Sequence, residues 1–437
     1  MIRKRPEALG PDTPFCHLPV ASEPRLTRLA PMTSASAPTP TPVLTAPIIL
    51  LMSVATGLAV ASNYYAQPLL HTIGQQFQLS NAAAGAIVTT AQLSYALGLM
   101  LLVPLGDLFE RRSLIVLMTL LSAGGLLISA FSDSIIVLLV GTALTGLLSV
   151  VAQILVPFAA TLAAPHERGK AVGTVMSGLL LGILLARTVA GALADVGSWR
   201  TVYWVAAILM LVMSAILWRV LPRYQSPTSM SYPRLLGSIL RMFVEEPLFR
   251  ARSLLGFLLF AAFSMLWTPL TFLLASPPYE YSNTTIGLFG LAGAAGAYAA
   301  NRFGRLADRG LGNLATRVGL LLLLGSWGLM AFGQMSVAAL LAGIVVQDLA
   351  IQGVHVTNSS SLYRLRPEAR SRLTAGYMTC YFIGGASGSL VSSWLYAHFG
   401  WPGVVIAGAV LGVVTLAYGA LAPSARIPET APSPVRA

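Results

Sequence analysis

Pro165-His-Glu-Arg168-Gly-Lys170, followed by Met176 and Gly182, recurs as Pro367-Glu-Ala-Arg370-Ser-Arg372 with Met378 and Gly384. Trp199 recurs as Trp401 in the same register, each just after a glycine-containing loop. A spaced pattern that returns in this way marks two units of one design. Around it lie twelve long apolar runs, near 46–66, 83–105, 113–131, 135–162, 170–194, 201–221, 253–275, 284–301, 314–333, 336–360, 373–397 and 402–421. A hydrocarbon core about 30 Å thick is crossed by ~20 helical residues at a rise of about 1.5 Å each. The reading is an all-α polytopic membrane protein, with 12 transmembrane helices in two six-helix bundles. The alternating ten-residue segments of a transmembrane β-barrel are not found in the sequence.

Composition points the same way. The chain is 56% hydrophobic and 10% charged, where a soluble domain is roughly one-quarter charged. Its net charge of +12 is distributed by position. Basic residues fill the first tail (Arg3, Lys4, Arg5, Arg25, Arg28), the last tail (Arg426, Arg436) and every second loop. Those loops hold Arg111/Arg112, Arg168/Lys170, Arg219 to Arg252, Arg302 to Arg317 and Arg364 to Arg372; Arg187 and Arg200 fall elsewhere. Lys and Arg are retained on the cytoplasmic side, so both termini and these loops are expected there. Topology accounts for the charge without a nucleic-acid partner. The expected organisation is a disordered cytoplasmic tail (1–45), a first six-helix bundle (46–221), a cytoplasmic linker (222–250), a second bundle (251–421) and a short tail (422–437).

One acid sits deep inside an apolar run: Asp348, in Ala342-Gly-Ile-Val-Val-Gln-Asp348-Leu-Ala-Ile-Gln352-Gly-Val-His355-Val-Thr357. A charge at that depth costs several kcal/mol and marks a functional site by default. Asp348, Gln352 and His355 are spaced i, i+4, i+7 and share one helix face. By the repeat, His355 corresponds to Gln153. Arg187 is the other intramembrane charge. It either pairs with Asp348 in one conformation, as a latch, or bonds backbone carbonyls and snorkels. Proton coupling is therefore assigned to Asp348, His355 and Arg187, and substrate binding to Tyr64, Tyr65, Gln67, Gln92, Gln153 and Gln352. Tyr95, Trp267, Tyr377 and Tyr381 are further aromatics for cavity walls. Cys16 and Cys380 make neither a structural disulfide nor a metal site. No phosphate-cradling G-x-x-x-x-G-K-[ST] segment or catalytic constellation is present. The chain reads as no enzyme, with no cofactor and no metal.

The loop Gly304-Arg-Leu-Ala-Asp308-Arg309-Gly-Leu-Gly312 closely resembles the G-x-L-a-D-R-x-x-G signature of the major facilitator superfamily. Gly106-Asp107-Leu-Phe-Glu110-Arg111-Arg112 is a degraded copy at the equivalent place. There Glu replaces Asp and the second Gly is missing. Asn63-Tyr64-Tyr65-Ala-Gln67-Pro68-Leu-Leu, with the Gln153 and Arg187 regions, is similar to a bacterial branch described as multidrug or sugar efflux permeases. The resemblance covers about 46–421.

It implies a multi-pass protein of the bacterial inner membrane, acting as a monomer on a small-molecule substrate, protons and the lipid bilayer. The first, fourth, seventh and tenth spans would line a central cavity. Gly106, Glu110, Arg111, Gly304, Asp308 and Arg309 would gate its cytoplasmic side. The function implied is proton-coupled efflux of a small drug-like or sugar-like solute by alternating access. Uptake or facilitated diffusion stays open, as does a sensor or scaffold without transport. Two departures stand out. Thr142-Ala-Leu-Thr-Gly146 lacks the Arg common in the fourth span of drug–proton antiporters, and Ala186-Arg187 replaces their Gly-Pro pair in the fifth.

Overall fold

A computed structural model describes residues 45–164, 166–225, 231–365 and 370–421. Of the two expected tails only residue 45 is described, and Pro165 and Pro367 of the repeat lie outside. The side chains of Asp308 and Arg370 lie outside as well. The described chain is helical with no strand. The first half contains α1 (Ala46–Ala61), α2 (Leu70–Gln76), α3 (Asn81–Leu101), α4 (Arg111–Ala130), α5 (Ile135–Leu148), α6 (Val151–Leu162), α7 (Arg168–Val196) and α8 (Trp199–Val220). A linker helix, α9 (Tyr232–Glu245), follows. The second half contains α10 (Pro247–Ala275), α11 (Asn283–Leu288), α12 (Ala294–Asp308), α13 (Gly312–Met330), α14 (Val337–Leu365) and α15 (Arg370–Leu421).

Among the described residues, nine helical stretches are long and apolar enough to cross a bilayer. One of them, Ser371–Leu421, covers the last two expected runs. It bends at Gly400, whose φ of 62° suits a residue without a Cβ, and Pro402 follows at the start of the next segment. The two remaining expected runs are shorter or broken. In the first, α1 ends at Ala61 and the chain passes through a 3-10 turn at Gln67–Leu69 before α2. The eighth divides into α11, a 3-10 turn over Phe289–Gly293, and α12. With those two, the segments fit the expected twelve.

Local chemistry fixes several helix starts. The side-chain oxygens of Ser80, Ser134 and Ser282 accept N–H bonds from Ala83 (3.2 Å), Val137 (3.4 Å) and Thr285 (3.3 Å). Each satisfies an otherwise orphaned donor, worth about 1 kcal/mol. Within the first half α1 packs on α7, α4 on α5 and α8, and α3 on α5. In the second half α10 packs on α15, and α13 and α12 on α14. The halves meet through α3 with α15 and α7 with α11. Large apolar side chains such as Ile136, Ile406, Val410 and Leu321 stay exposed on the outside, as lipid-facing surface requires.

The two ends of the molecule differ. The end carrying Arg111, Arg168, Arg309 and α9 is the basic face. At the opposite face sit the repeated tryptophans. Trp199 donates its indole N–H to Gln76, and Trp401 donates to the Met330 carbonyl at 2.8 Å. Both are buried, each sealing the end of its own half.

Candidate functional site

Arg187 lies in α7, in the lower-numbered half of the molecule, yet its guanidinium reaches across the seam. The residue is only 2% exposed. Its Nε donates to Gln67 Oε1 at 2.6 Å. The guanidinium carbon sits 3.8 Å from the centroid of Trp267, 5.2 Å from Tyr64 and 5.6 Å from Phe263. A cation on several aromatic faces gains about 2 kcal/mol where water is excluded. The Trp267 ring has a second role, because its Nε1–H donates to Asp348 Oδ1 at 3.3 Å. Asp348 is 3% exposed. One indole thus carries a cation on its face and bonds a carboxylate at its edge. Arg187 acts on Asp348 electrostatically, but among the described residues the two form no direct ion pair.

The broken segment between α11 and α12 makes this close assembly possible. Gly287, Gly290, Gly293 and Gly296 recur every third residue, and in a 3-10 turn residues i and i+3 eclipse. A Cβ at Gly287 would strike the Arg187 backbone carbonyl, and one at Gly290 would lie 3.1 Å from Arg187 Cβ. At Gly293 it would meet Asp348 Oδ2 at 3.2 Å, and at Gly296 the Gln352 side chain at 2.8 Å. One glycine face therefore contacts α7 at one end and α14 at the other.

The other predicted residues fall around this cluster to different degrees. Tyr64 and Tyr65 are buried in the turn after α1. Gln67 is buried, and its Nε2 has no hydrogen-bond partner. Gln92, 1% exposed on α3, has neither amide atom partnered. Gln153 is half-buried and its Nε2 donates to the Tyr95 hydroxyl at 3.4 Å. His355 Nδ1 lies 3.0 Å from the Tyr377 hydroxyl, and its ring centroid is 4.8 Å from that of Tyr381. His355 is thus held by aromatics of α15, one side removed from Arg187.

The loop residues stand at the basic face, apart from the cluster. Arg111 Nε donates to the Gly106 carbonyl at 3.0 Å, and its Nη2 meets Asp107 Oδ1 at 3.3 Å. The pairing acid is thus Asp107, since Glu110 does other work. Glu110 caps α4, accepting from the backbone N–H groups of Arg112 (2.9 Å) and Ser113 (3.0 Å) and from the Ser113 hydroxyl. Its Oε1 also accepts from the Tyr224 N–H at 3.3 Å, tying the linker to the loop. In the second copy, a Cβ at Gly304 would lie in ordinary contact with Val356, 3.5 Å from its Cγ1. Arg309 ends α12 and is exposed, followed by Gly310 at φ 81°.

Sequence reading had placed Trp267 only among wall aromatics, and it missed the glycine face. It also missed Asp195, whose carboxylate accepts from Asn283 Nδ2 (2.8 Å) and the Thr284 N–H (2.7 Å) at the opposite face. The three-residue glycine period was the available signal for the break.

Comparison with known proteins agrees with this architecture. The family model described as Major Facilitator Superfamily matches residues 52–363. The uncharacterized transporter YgaY of Escherichia coli (strain K12) is 62% identical over 84% of this chain and 94% of its own length. A protein of Streptomyces coelicolor named "Probable transporter SCO4007" is 31% identical over 83% of this chain and 84% of its own. Among solved structures, a bacterial homolog of the human lysosomal transporter Spinster, crystallised inward-facing and occupied, superposes with a TM-score of 0.72. It is 17% identical, covering 86% of this chain and 96% of that one, so the likeness speaks for the fold alone. Matching family, relatives and fold converge with the two-bundle architecture: the chain belongs to the Major Facilitator Superfamily and is a multi-pass membrane transporter.

Proposed function

We propose that the chain is a secondary active transporter of a small organic solute, working by alternating access and coupled to protons through Asp348. The observation that carries this reading is the Arg187–Trp267–Asp348 cluster, buried where the two halves meet. A carboxylate held there can shed its charge by taking a proton. Its interaction with Arg187 reaches between the halves, which separate when they rock, while its Trp267 bond ties it, within the second half, to the ring on which Arg187 stacks. Protonation state and conformation are thereby linked. Tyr64, Tyr65, Gln67, Gln92, Gln153 and Gln352 would face the solute. His355, held by Tyr377, would relay or position a proton on the basic side.

The basic face is taken as cytoplasmic, with both termini there and the protein in the bacterial inner membrane, on the distribution of Lys and Arg. Gly106, Glu110, Arg111, Gly304, Asp308 and Arg309 would then gate the cytoplasmic side, and the protein would work as a monomer. Export in exchange for protons is the first reading, supported by the resemblance of Asn63 to Leu70 to efflux permeases. Movement of solute and proton in one direction is the second, and its specific support is a buried Arg187 beside Asp348.

Proteoliposomes with an imposed pH gradient test the proposal. Gradient-driven solute flux in the wild type should fall at least about tenfold in Asp348→Asn, equivalent to about 1.4 kcal/mol of added barrier. Flux in that variant with an unchanged response to the gradient would remove Asp348 from the coupling.

A further inference from the structure

Arg187 is the most heavily buried cation at the seam, and its hydrogen-bonding is incomplete. Nε is used by Gln67 Oε1, while Nη2 has no partner. Gln67 spends its carbonyl oxygen on Arg187 and leaves its own Nε2 unpartnered. Two donors from hydrogen-bonded neighbours are therefore both short of an acceptor. A buried charged donor left unmet keeps its full desolvation penalty. Aromatic faces hold the guanidinium in place without supplying any oxygen. Asp348, the acid that acts on it, is hydrogen-bonded to the edge of the indole and makes no direct ion pair with Arg187.

We infer that the transported solute carries a carboxylate, and that Arg187 and Gln67 bind it. Arg presents a planar fork whose geometry matches two carboxylate oxygens, and here the adjoining Gln67 amide extends it. This rests on proton coupling at Asp348 and deepens the second of the two readings above, in which solute and proton move in one direction. With Asp348 ionised, the Arg187–Asp348 cluster is neutral overall. With Asp348 protonated it is a net cation, so an anion loads best onto the protonated form. Solute and proton would then travel in the same direction.

The groups that bear on Asp348 are identifiable on each side. Arg187 on α7, Tyr64 before the 3-10 turn and Tyr381 on α15 interact with it electrostatically. Arg252 on α10 is bonded to Asn358 at 3.1 Å, and His355 on the same helix is bonded to Tyr377. Arg302, Arg305 and Arg317 lie toward the basic-face ends of α12 and α13.

Thermal unfolding of the whole chain in nanodiscs tests the inference, using lactate against lactamide, gluconate against glucose and benzoate against benzamide. A bound ligand raises the midpoint by mass action. At least one carboxylate should stabilise the wild type saturably while its neutral counterpart does not. Arg187→Gln should abolish the effect. Arg187→Lys, which keeps the charge but loses the fork, should weaken binding about tenfold and keep the preference for the anion. Asp348→Asn should still bind the carboxylate but lose the strengthening between about pH 8 and about pH 6, where the ligand itself stays ionised.

The inference is overturned if no carboxylate saturates, if neutral counterparts bind equally well, or if folded Arg187→Gln binds unchanged. Should Arg187→Gln not fold, equal affinity of Arg187→Lys for a carboxylate and its neutral counterpart overturns it. Failures of the two readings look different. Arg187-dependent binding with no pH response in the wild type leaves the anion site standing and removes coupling at Asp348. Proton-driven flux of neutral solutes alone removes the anion site and leaves the coupling.

Discussion

The halves of this transporter are joined at both faces, but by different means. At the opposite face the contact is made through glycines. Gly191 abuts the Asn283 backbone carbonyl and Gly287 that of Arg187, while Gly85 abuts the Ser393 side chain. Thr188 donates to the Gly287 carbonyl at 3.0 Å and Ser389 to that of Gly85 at 3.4 Å, with the Asp195 clasp beside them. At the basic face an amphipathic helix mediates instead. The Tyr232 hydroxyl of α9 donates to the Leu101 carbonyl at 2.8 Å, and Leu235 and Ile239 line a small cleft with Val103, Pro104 and Ala375. Small residues let helices touch so closely that any added atom is felt. A mediated contact can slide or detach with little repacking. The opposite face is therefore the tighter join in this structure and the basic face the looser one; if the halves rock as proposed, the opposite face is the closed gate and the basic face the one poised to open.

Overfilling the tight seam should break the comparison most strongly. A Leu side chain at Gly287 would have to displace the Arg187 backbone and the Thr188 Cα, which lies 3.1 Å from a Cβ there. Overpacking of this kind costs about 1–3 kcal/mol, which shifts a conformational ratio by about 5- to 150-fold. Spin labels at Asp133 and Glu280, in opposite-face loops of the two halves, should report a longer distance in Gly287→Leu. An unchanged distribution would show that this seam does not hold the closed state.

A smaller effect is expected from Asp195→Ala, which deprives the Asn283 amide and the Thr284 N–H of a charged acceptor. Hydrogen bonds to charged groups contribute about 1.5–3 kcal/mol, and less near solvent. The same label pair should lengthen in a minority of molecules. If Asp195→Ala matches Gly287→Leu, hydrogen bonding rather than close packing holds the gate.

These residues also mark how far the sequence could be read. The apolar runs and the repeat are long-range patterns dictated by bilayer thickness and duplication, so the helices and their grouping were legible. Asp348 and Arg187 were legible as charges where none is cheap. Trp267 was not, because an indole in an apolar run carries the same signature whether it packs, anchors or bridges two charges. Asp195 read as an ordinary acid at the edge of a run, since only the fold brings Asn283 and Thr284 to it. The pairing of Arg111 with Asp107 was hidden by the motif, which directed attention to Glu110. A cap and an ion pair need different distances from the same arginine, and only the turn geometry decides which acid does which.

Glu110 offers a test at the basic face with a defined pH sign. Partial burial raises its affinity for a proton, but bonds from the Ser113 hydroxyl and the N–H groups of Ser113, Arg112 and Tyr224 outweigh this and hold the carboxyl below its ordinary value. A depressed carboxyl stabilises the fold above its unfolded value of about 4.3 and loses that contribution as pH falls through the lower folded value. Protection of the Arg112, Ser113 and Tyr224 amides, taken as hydrogen exchange relative to the intrinsic rate at each pH, should therefore be high at neutral pH and fall in acid. In Glu110→Gln protection should be lower at neutral pH, by the equivalent of about 1 kcal/mol for a lost cap, and nearly independent of pH. An acid response that persists in Glu110→Gln would place the titrating group elsewhere.

The gentlest perturbation is Tyr232→Phe, which deletes one hydroxyl and leaves the ring to pack. Its bond to the Leu101 carbonyl joins α9 to the end of α3, and a single neutral hydrogen bond contributes about 0.5–1.5 kcal/mol. Because α9 also touches α10 and α15, this bond belongs to the mediated connection between the halves. Losing it should widen the basic face by at most about tenfold in population, seen as faster labelling of a cysteine at Ser371 beside the cleft. The opposite-face label distance should not move. The two readouts together decide the comparison: a tight seam and a mediated one predict that basic-face labelling changes alone. Lengthening of the Asp133–Glu280 distance in Tyr232→Phe would mean that the faces are rigidly coupled through α3, and that the linker helix helps hold the far gate shut.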